Sequence, residues 1–114
     1  MAVDRRALIR KYKDTPRPMG VGLVRNLATG RTLLFGATEL PSLLNRHRAQ
    51  LRLGAHPLKS LQADWQDLGE GRFEFAVVDT LQPKDEPGYD PTSDLRELLA
   101  LWREKLAATT PLWY

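Results

Sequence analysis

The segment 19–53 most constrains the fold, because a strand-turn-strand pattern there runs directly into an amphipathic helix. Residues 20–26 and 31–35 have the composition of strands, and the segment between them ends in Gly30, which is suited to a turn with positive φ. Over residues 39–53, apolar side chains recur at helical spacing, and Gly54 follows as a helix stop. The sequence therefore predicts a β-hairpin that leads into a helix with the stripe Leu40, Leu43, Leu44, His47 and Leu51.

The rest of the chain predicts one more strand and three more helices. A basic helix over residues 3–13 precedes two prolines, and a second apolar stripe predicts a helix over residues 58–68. Residues 72–80 carry apolar side chains on both faces, which is typical of a central strand. Asp90 as N-cap and Pro91 at the first position begin the last helix. The predicted class is α+β, a small three-stranded antiparallel sheet flanked by helices in the order α-β-β-α-α-β-α.

The chain has 114 residues, enough for a single domain with a modest core. We expect a basic N-terminal helix and linker over residues 1–18, a core over 19–106 and a C-terminal tail over 107–114. The absence of cysteine excludes a disulfide framework and any thiolate metal site. No window approaches the roughly 18 apolar residues of a transmembrane helix, and the N-terminus lacks the apolar region of a secretory signal. A cytoplasmic, bacterial-type protein is expected.

Positive charge is concentrated in the first half of the sequence. Residues 1–56 contain eleven Lys or Arg and three acids, whereas residues 57–114 contain six and eleven, which together give the net charge of +3. Such asymmetry is typical of a phosphate-binding face, and also of a surface that binds an acidic protein. The residues predicted to bind nucleic acid are Arg5, Arg6, Arg10, Lys11, Arg46, Arg48 and Arg52.

Several short sequence motifs occur in a characteristic order. The first strand reads GVGLVRN, the second ends in LFG, and a histidine follows in the next helix. LQADW and GEGRFEF then lead into the third strand. Over residues 19–106 this order resembles the GIY-YIG nucleases. The segments that carry the resemblance are 20–26, 34–36, 61–65 and 69–75, together with His47 and the frame Trp102, Glu104, Lys105 and Leu106.

The resemblance implies the family's fold, but the reactive side chains are absent from the matching positions. In active members, two tyrosines and an arginine organise the nucleophilic water and the scissile phosphate, and a glutamate holds one divalent metal ion. Here the tyrosine positions are Gly22 and Leu34. With a one-residue deletion before His47, the arginine position is Leu43, and the glutamate position is Leu99. The correspondence requires these four positions to meet at one pocket, and it implies a catalytically inactive domain.

Neighbouring carboxylates offer an alternative metal site. Glu97 lies two residues from Leu99, about 200° around the helix, and Glu74 points to the side of its strand opposite Phe73 and Phe75. No cofactor is expected unless these residues hold Mg²⁺ or Mn²⁺. His47 is interpreted either as a core histidine with a satisfied ring nitrogen or as a remnant of the family's site. His56, at a helix start, is expected to cap the helix or to be exposed.

Three functions remain open at this stage. The first is an inactive GIY-YIG-like domain that binds nucleic acid, DNA above all, through phosphate contacts on its basic face. The second is an active metal-dependent endonuclease with a relocated site. The third is a protein-interaction domain whose pocket is filled by leucines, with an acidic protein as partner. The aromatic end, Trp113 and Tyr114, packs back on the domain or forms a homodimer contact.

Overall fold

The computed structural model describes residues 18–82, 84, 86–109 and 112–114, and the predicted helix over residues 3–13 lies outside them. The described elements confirm the α+β class and follow the predicted order β-β-α-α-β-α. None of the described helices is long and apolar enough to cross a membrane. The elements are β1 (Met19–Asn26), β2 (Thr32–Ala37), α1 (Leu40–Leu53), α2 (Lys59–Leu68), a 3₁₀ turn (Glu70–Arg72), β3 (Phe73–Leu81) and α3 (Thr92–Ala107).

The turn between β1 and β2 is built by Asn26 and Gly30. The buried Asn26 side chain accepts hydrogen bonds from the N–H groups of Ala28 (2.9 Å) and Thr29 (3.3 Å). Gly30 has φ 82° and donates its N–H to the Asn26 carbonyl at 2.8 Å. This left-handed conformation favours glycine because a side chain there would be strained. The predicted hairpin is therefore confirmed, with its turn closed by one asparagine.

The sheet is antiparallel throughout in the order β2-β1-β3, so β1 and not β3 is the central strand. The prediction of a central β3 is wrong: Val77 on this strand is 51% exposed. β1 is buried along nearly all its length, but its two glycines weaken the apolar pattern of its sequence. A Cβ on Gly20 would lie 2.1 Å from the Asp79 carbonyl oxygen, beside the bulge that shifts the register between β1 and β3. Glycine is required there by the close approach of the backbones.

Two apolar clusters cover the two faces of the sheet. The first, here the α1–α2 cluster, joins one face to Leu51 of α1 and to Leu61 and Trp65 of α2. The second, here the α3 cluster, joins the other face to α3. Its buried members are Val21, Leu23 and Leu34, and the α3 side chains packed on them are Leu98, Leu99, Trp102 and Leu106. The domain thus has three layers, with α1 and α2 on one side of the sheet and α3 on the other.

The C-terminal tail packs back on the hairpin. Thr32 donates its N–H to the Leu112 carbonyl at 3.1 Å and accepts the Tyr114 N–H at 2.9 Å, which adds a short parallel bridge beside β2. The Tyr114 hydroxyl donates to Asp64 (2.7 Å) and accepts the Asn26 amide (3.0 Å). Burial and the bond to Asp64 raise the pKa of Tyr114 to about 12. Of the two placements predicted for the tail, the described residues adopt packing on the domain.

Candidate functional site

An open cleft of about 570 Å³ lies at the end of β2, where α1 and α3 approach one another from opposite sides of the sheet. Gly36 and Ala37 of β2 form its base, and Ser42 of α1 and Thr92 of α3 contribute hydroxyl groups. Both helices begin at this cleft. Their N-terminal ends carry partial positive charge, so the cleft favours an anion.

Two arginines from different helices line the cleft. Arg46 projects from α1 and Arg96 from α3, and both are exposed. Among the residues that the structure describes, neither guanidinium has an ion-pair or hydrogen-bond partner. The carboxylate that lines the cleft is that of Glu39. Arginine is suited to phosphate recognition because its planar guanidinium matches the geometry of phosphate oxygens.

Part of the cleft lining is apolar. Leu43 of α1 and Leu95 and Leu99 of α3 line it. Leu95 is 7% exposed and belongs to the core, and Leu99 packs on the α3 cluster. Leu43 is half-buried and belongs to neither apolar cluster, so it faces the cleft itself. The leucines line the cleft and leave it open.

The four positions that match the reactive residues of GIY-YIG nucleases do not all lie at one pocket. Leu43 and Leu99 both line the cleft, and Leu34 is buried in the α3 cluster on which Leu99 packs. Gly22 lies on the opposite face of the sheet, because it pairs with Phe35 whereas Leu34 pairs with Leu23. A Cβ on Gly22 would lie 2.9 Å from the Phe35 ring, so a tyrosine there would require repacking. Two of the four positions, Leu43 and Leu99, thus line the cleft, and Leu34 shares the α3 cluster with Leu99.

The predicted basic residues are divided between two sides of α1. Arg46 lines the cleft, whereas the Arg48 guanidinium lies 4.5 Å from the centre of the Phe75 ring on β3. Arg52, one turn farther, forms two hydrogen bonds with Glu70, the longer at 3.0 Å, and these lower the pKa of the Glu70 carboxyl. These two arginines therefore already have partners within the fold. The remaining predicted residues, Arg5, Arg6, Arg10 and Lys11, lie outside the described residues.

Arg96 is the functional candidate that the sequence did not indicate. It lies in the acidic half of the chain, and only the folded structure places it at the same cleft as Arg46. Glu74 and Glu97 are both exposed and are not among the residues lining the cleft. Within the described ranges, no group of three His, Cys, Asp or Glu side chains is arranged to hold a metal ion.

His47 on α1 and His56, which precedes α2, form a hydrogen-bonded pair. Their rings are 5.1 Å apart, and His47 Nδ1 lies 2.9 Å from His56 Nε2. His56 Nδ1 accepts the Leu58 N–H at 3.1 Å, so the proton of the neutral His56 ring is on Nε2 and is donated to His47. His47 then carries its own proton on Nε2. Burial, then His56 and Arg46, lower the pKa of His47 to about 4, so both rings are neutral at pH 7.

This arrangement gives each histidine a structural contact. His47 also packs against Phe35, with ring centres 4.6 Å apart, which is the core environment expected for it. His56 is buried, so the expectation that it is exposed is wrong; its ring accepts the N–H of Leu58, the residue before α2, and no side chain caps the first turn of that helix. The tautomers leave His47 Nε2–H as a neutral donor with no partner among the described residues.

No protein-family model matches the sequence, and no curated protein sequence matches it significantly. Two solved structures share its fold. The catalytic domain of the homing endonuclease I-TevI superposes with a TM-score of 0.61 at 18% identity, over 77% of this chain and 87% of that domain. A glutamate-to-alanine mutant of the same domain gives a TM-score of 0.62 at 18% identity, over 78% of this chain and 84% of that one. The chain therefore has the fold of a GIY-YIG nuclease catalytic domain.

Proposed function

We propose that this domain binds nucleic acid, DNA in the first instance, by holding backbone phosphates in the cleft, and that it does not hydrolyse them. The observation that carries the proposal is that Arg46 and Arg96 line one cleft from two helices and have no ion-pair or hydrogen-bond partner among the described residues. The fold shared with a nuclease catalytic domain supports nucleic acid as the source of the phosphate. Binding of this kind depends on charge and little on base sequence.

The loss of hydrolysis is inferred from what replaces the reactive groups. Phosphodiester cleavage requires a metal-activated or base-activated water and a carboxylate that holds the metal ion. Leucine side chains at positions 43 and 99 line the cleft and can neither ligate a metal ion nor transfer a proton. Leu34 is buried and packs in the α3 cluster. The arrangement keeps groups that recognise phosphate and lacks groups that activate water at the matching positions.

The salt dependence of binding tests the role of the two arginines. Each phosphate contact contributes about 0.7 to the slope of log K against log salt for single strands and about 0.9 for duplex DNA. Arg46→Gln combined with Arg96→Gln should therefore lower the slope by about 1.4 to 1.8 and weaken binding at low salt. Fluorescence anisotropy with a labelled oligonucleotide measures both quantities.

The matched control is Arg72→Gln combined with Arg103→Gln. These two arginines are exposed, lie outside the residues that line the cleft, and change the net charge by the same amount. The control should retain nearly the full slope. Equal loss in the two double variants would show that net charge alone drives binding, and an unchanged slope in the Arg46 and Arg96 variant would exclude the cleft.

A further inference from the structure

The cleft also carries an apolar surface that a phosphate cannot use. Leu43, Leu95 and Leu99 line the cleft together with the two arginines. An anion gains nothing from contact with leucine, because its charge is better solvated by water or by donors. Leu43 in particular is partly exposed to the cleft and packs in neither apolar cluster. A ligand that matches the whole cleft has an anionic part and a flat or apolar part.

We propose that the cleft receives one unpaired nucleotide, with its phosphate at Arg46 and Arg96 and its base against the leucine walls. This inference rests on the proposed function and narrows it to single-stranded or locally unpaired nucleic acid. The volume of about 570 Å³ falls within the range of small-molecule sites and is more than a single phosphate group occupies.

The leucines can contact a base only if the base is unpaired. In a duplex the base faces are stacked on their neighbours, so only the phosphates would reach the arginines, and the leucines would stay exposed to water. An unpaired or extruded base presents both faces, and proteins hold such bases between aromatic or apolar side chains. The hydroxyl groups of Ser42 and Thr92 at the same cleft are available to accept hydrogen bonds from the base edge.

Three probes of equal length test the proposal, and the two single-stranded probes share the same backbone. They are an oligothymidine, the same backbone without its bases, and a thymine–adenine duplex. At matched salt, the oligothymidine should bind the protein about five- to tenfold more tightly than the abasic strand, because contact with a base adds to the phosphate contacts. It should also bind more tightly than the duplex. Equal affinity for the oligothymidine and the abasic strand would overturn the inference and leave the proposed function standing.

The leucine wall is tested by Leu43→Gln, with Leu53→Gln as the matched control on the same helix. Leu53 is 81% exposed and lies outside the cleft. The Leu43 variant should lose most of the preference for the oligothymidine over the abasic strand, while its affinity for the abasic strand stays within twofold. If both variants keep the preference, the base does not contact the cleft and the inference fails. If no probe binds at low salt, the proposed function itself fails.

Discussion

Acidification should destabilise the domain through the pair formed by His47 and His56. In the unfolded chain His47 takes up a proton near its ordinary pKa of 6.5, whereas in the folded protein its pKa is lowered to about 4. Between these two values the unfolded chain binds more protons than the folded protein. The free energy of unfolding therefore falls as the pH decreases from 6.5 to about 4. Above pH 6.5 the contribution of the neutral pair is fully present.

The size of this effect follows from the two pKa values. Each pH unit of difference corresponds to about 1.4 kcal/mol, so full burial would give a loss of about 3 kcal/mol. The His47 ring is only half-buried, and water reduces the penalty for charging it. We therefore expect a loss of about 1–2 kcal/mol from this residue. His56, whose pKa is lowered by burial, changes stability in the same direction.

Urea unfolding of the natural protein and of His47→Gln at several pH values measures the contribution of the histidine pair, because titratable groups outside the pair are the same in both proteins. The variant loses the ring contact with Phe35 and should be the less stable protein at pH 7.5. The difference between the two should shrink by about 1–2 kcal/mol toward pH 4. If the free energies of unfolding of the two proteins change in parallel with pH, the lowered pKa of His47 does not contribute to the pH dependence. Nitrogen NMR of the natural protein gives a second check, because both rings should carry their proton on Nε2.

Three substitutions test other parts of the structure. Gly22→Ala should destabilise the protein by about 1–3 kcal/mol in thermal unfolding, since its Cβ would lie 2.9 Å from the Phe35 ring; no loss would contradict this packing. Tyr114→Phe should cost about 1–3 kcal/mol in urea unfolding because it removes a partner of the fully buried Asn26 amide, and a neutral result would mean that the Tyr114 hydroxyl does not stabilise the hairpin turn. Leu99→Glu should cost about 1–2 kcal/mol, and increased stability would exclude its packing on the α3 cluster.

Most of the fold was predictable because its signals are local. The positive φ of Gly30 and the stop at Gly54 follow from glycine alone, and helix periodicity located α1 and α2 to within a residue or two. The position of β3 in the sheet was not predictable from its own pattern. That position depends on β1, whose glycines conceal a strand that is buried on both faces.

The site was predictable only in part. The sequence indicated Arg46, but the pairing with Arg96 depends on how two helices on opposite faces of the sheet meet. Gly22 was matched to a tyrosine of GIY-YIG nucleases by its position in a sequence motif. The face of the sheet that a residue occupies depends instead on strand register. A register change of one residue moves every side chain of a strand to the other face. The hairpin pairing thus places Gly22 away from Leu34, although the sequence pattern groups them.

The central claim is that the cleft binds nucleic acid without cleaving it, and one assay measures both properties. Supercoiled DNA is incubated with the natural protein and Mg²⁺ or Mn²⁺ at low salt, and each sample is divided between a mobility shift and a denaturing gel. We expect a shift that salt reverses, with no nicked or linear product above the protein-free control. Metal-dependent product that Glu74→Ala or Glu97→Ala abolishes would instead indicate an active nuclease with a relocated site.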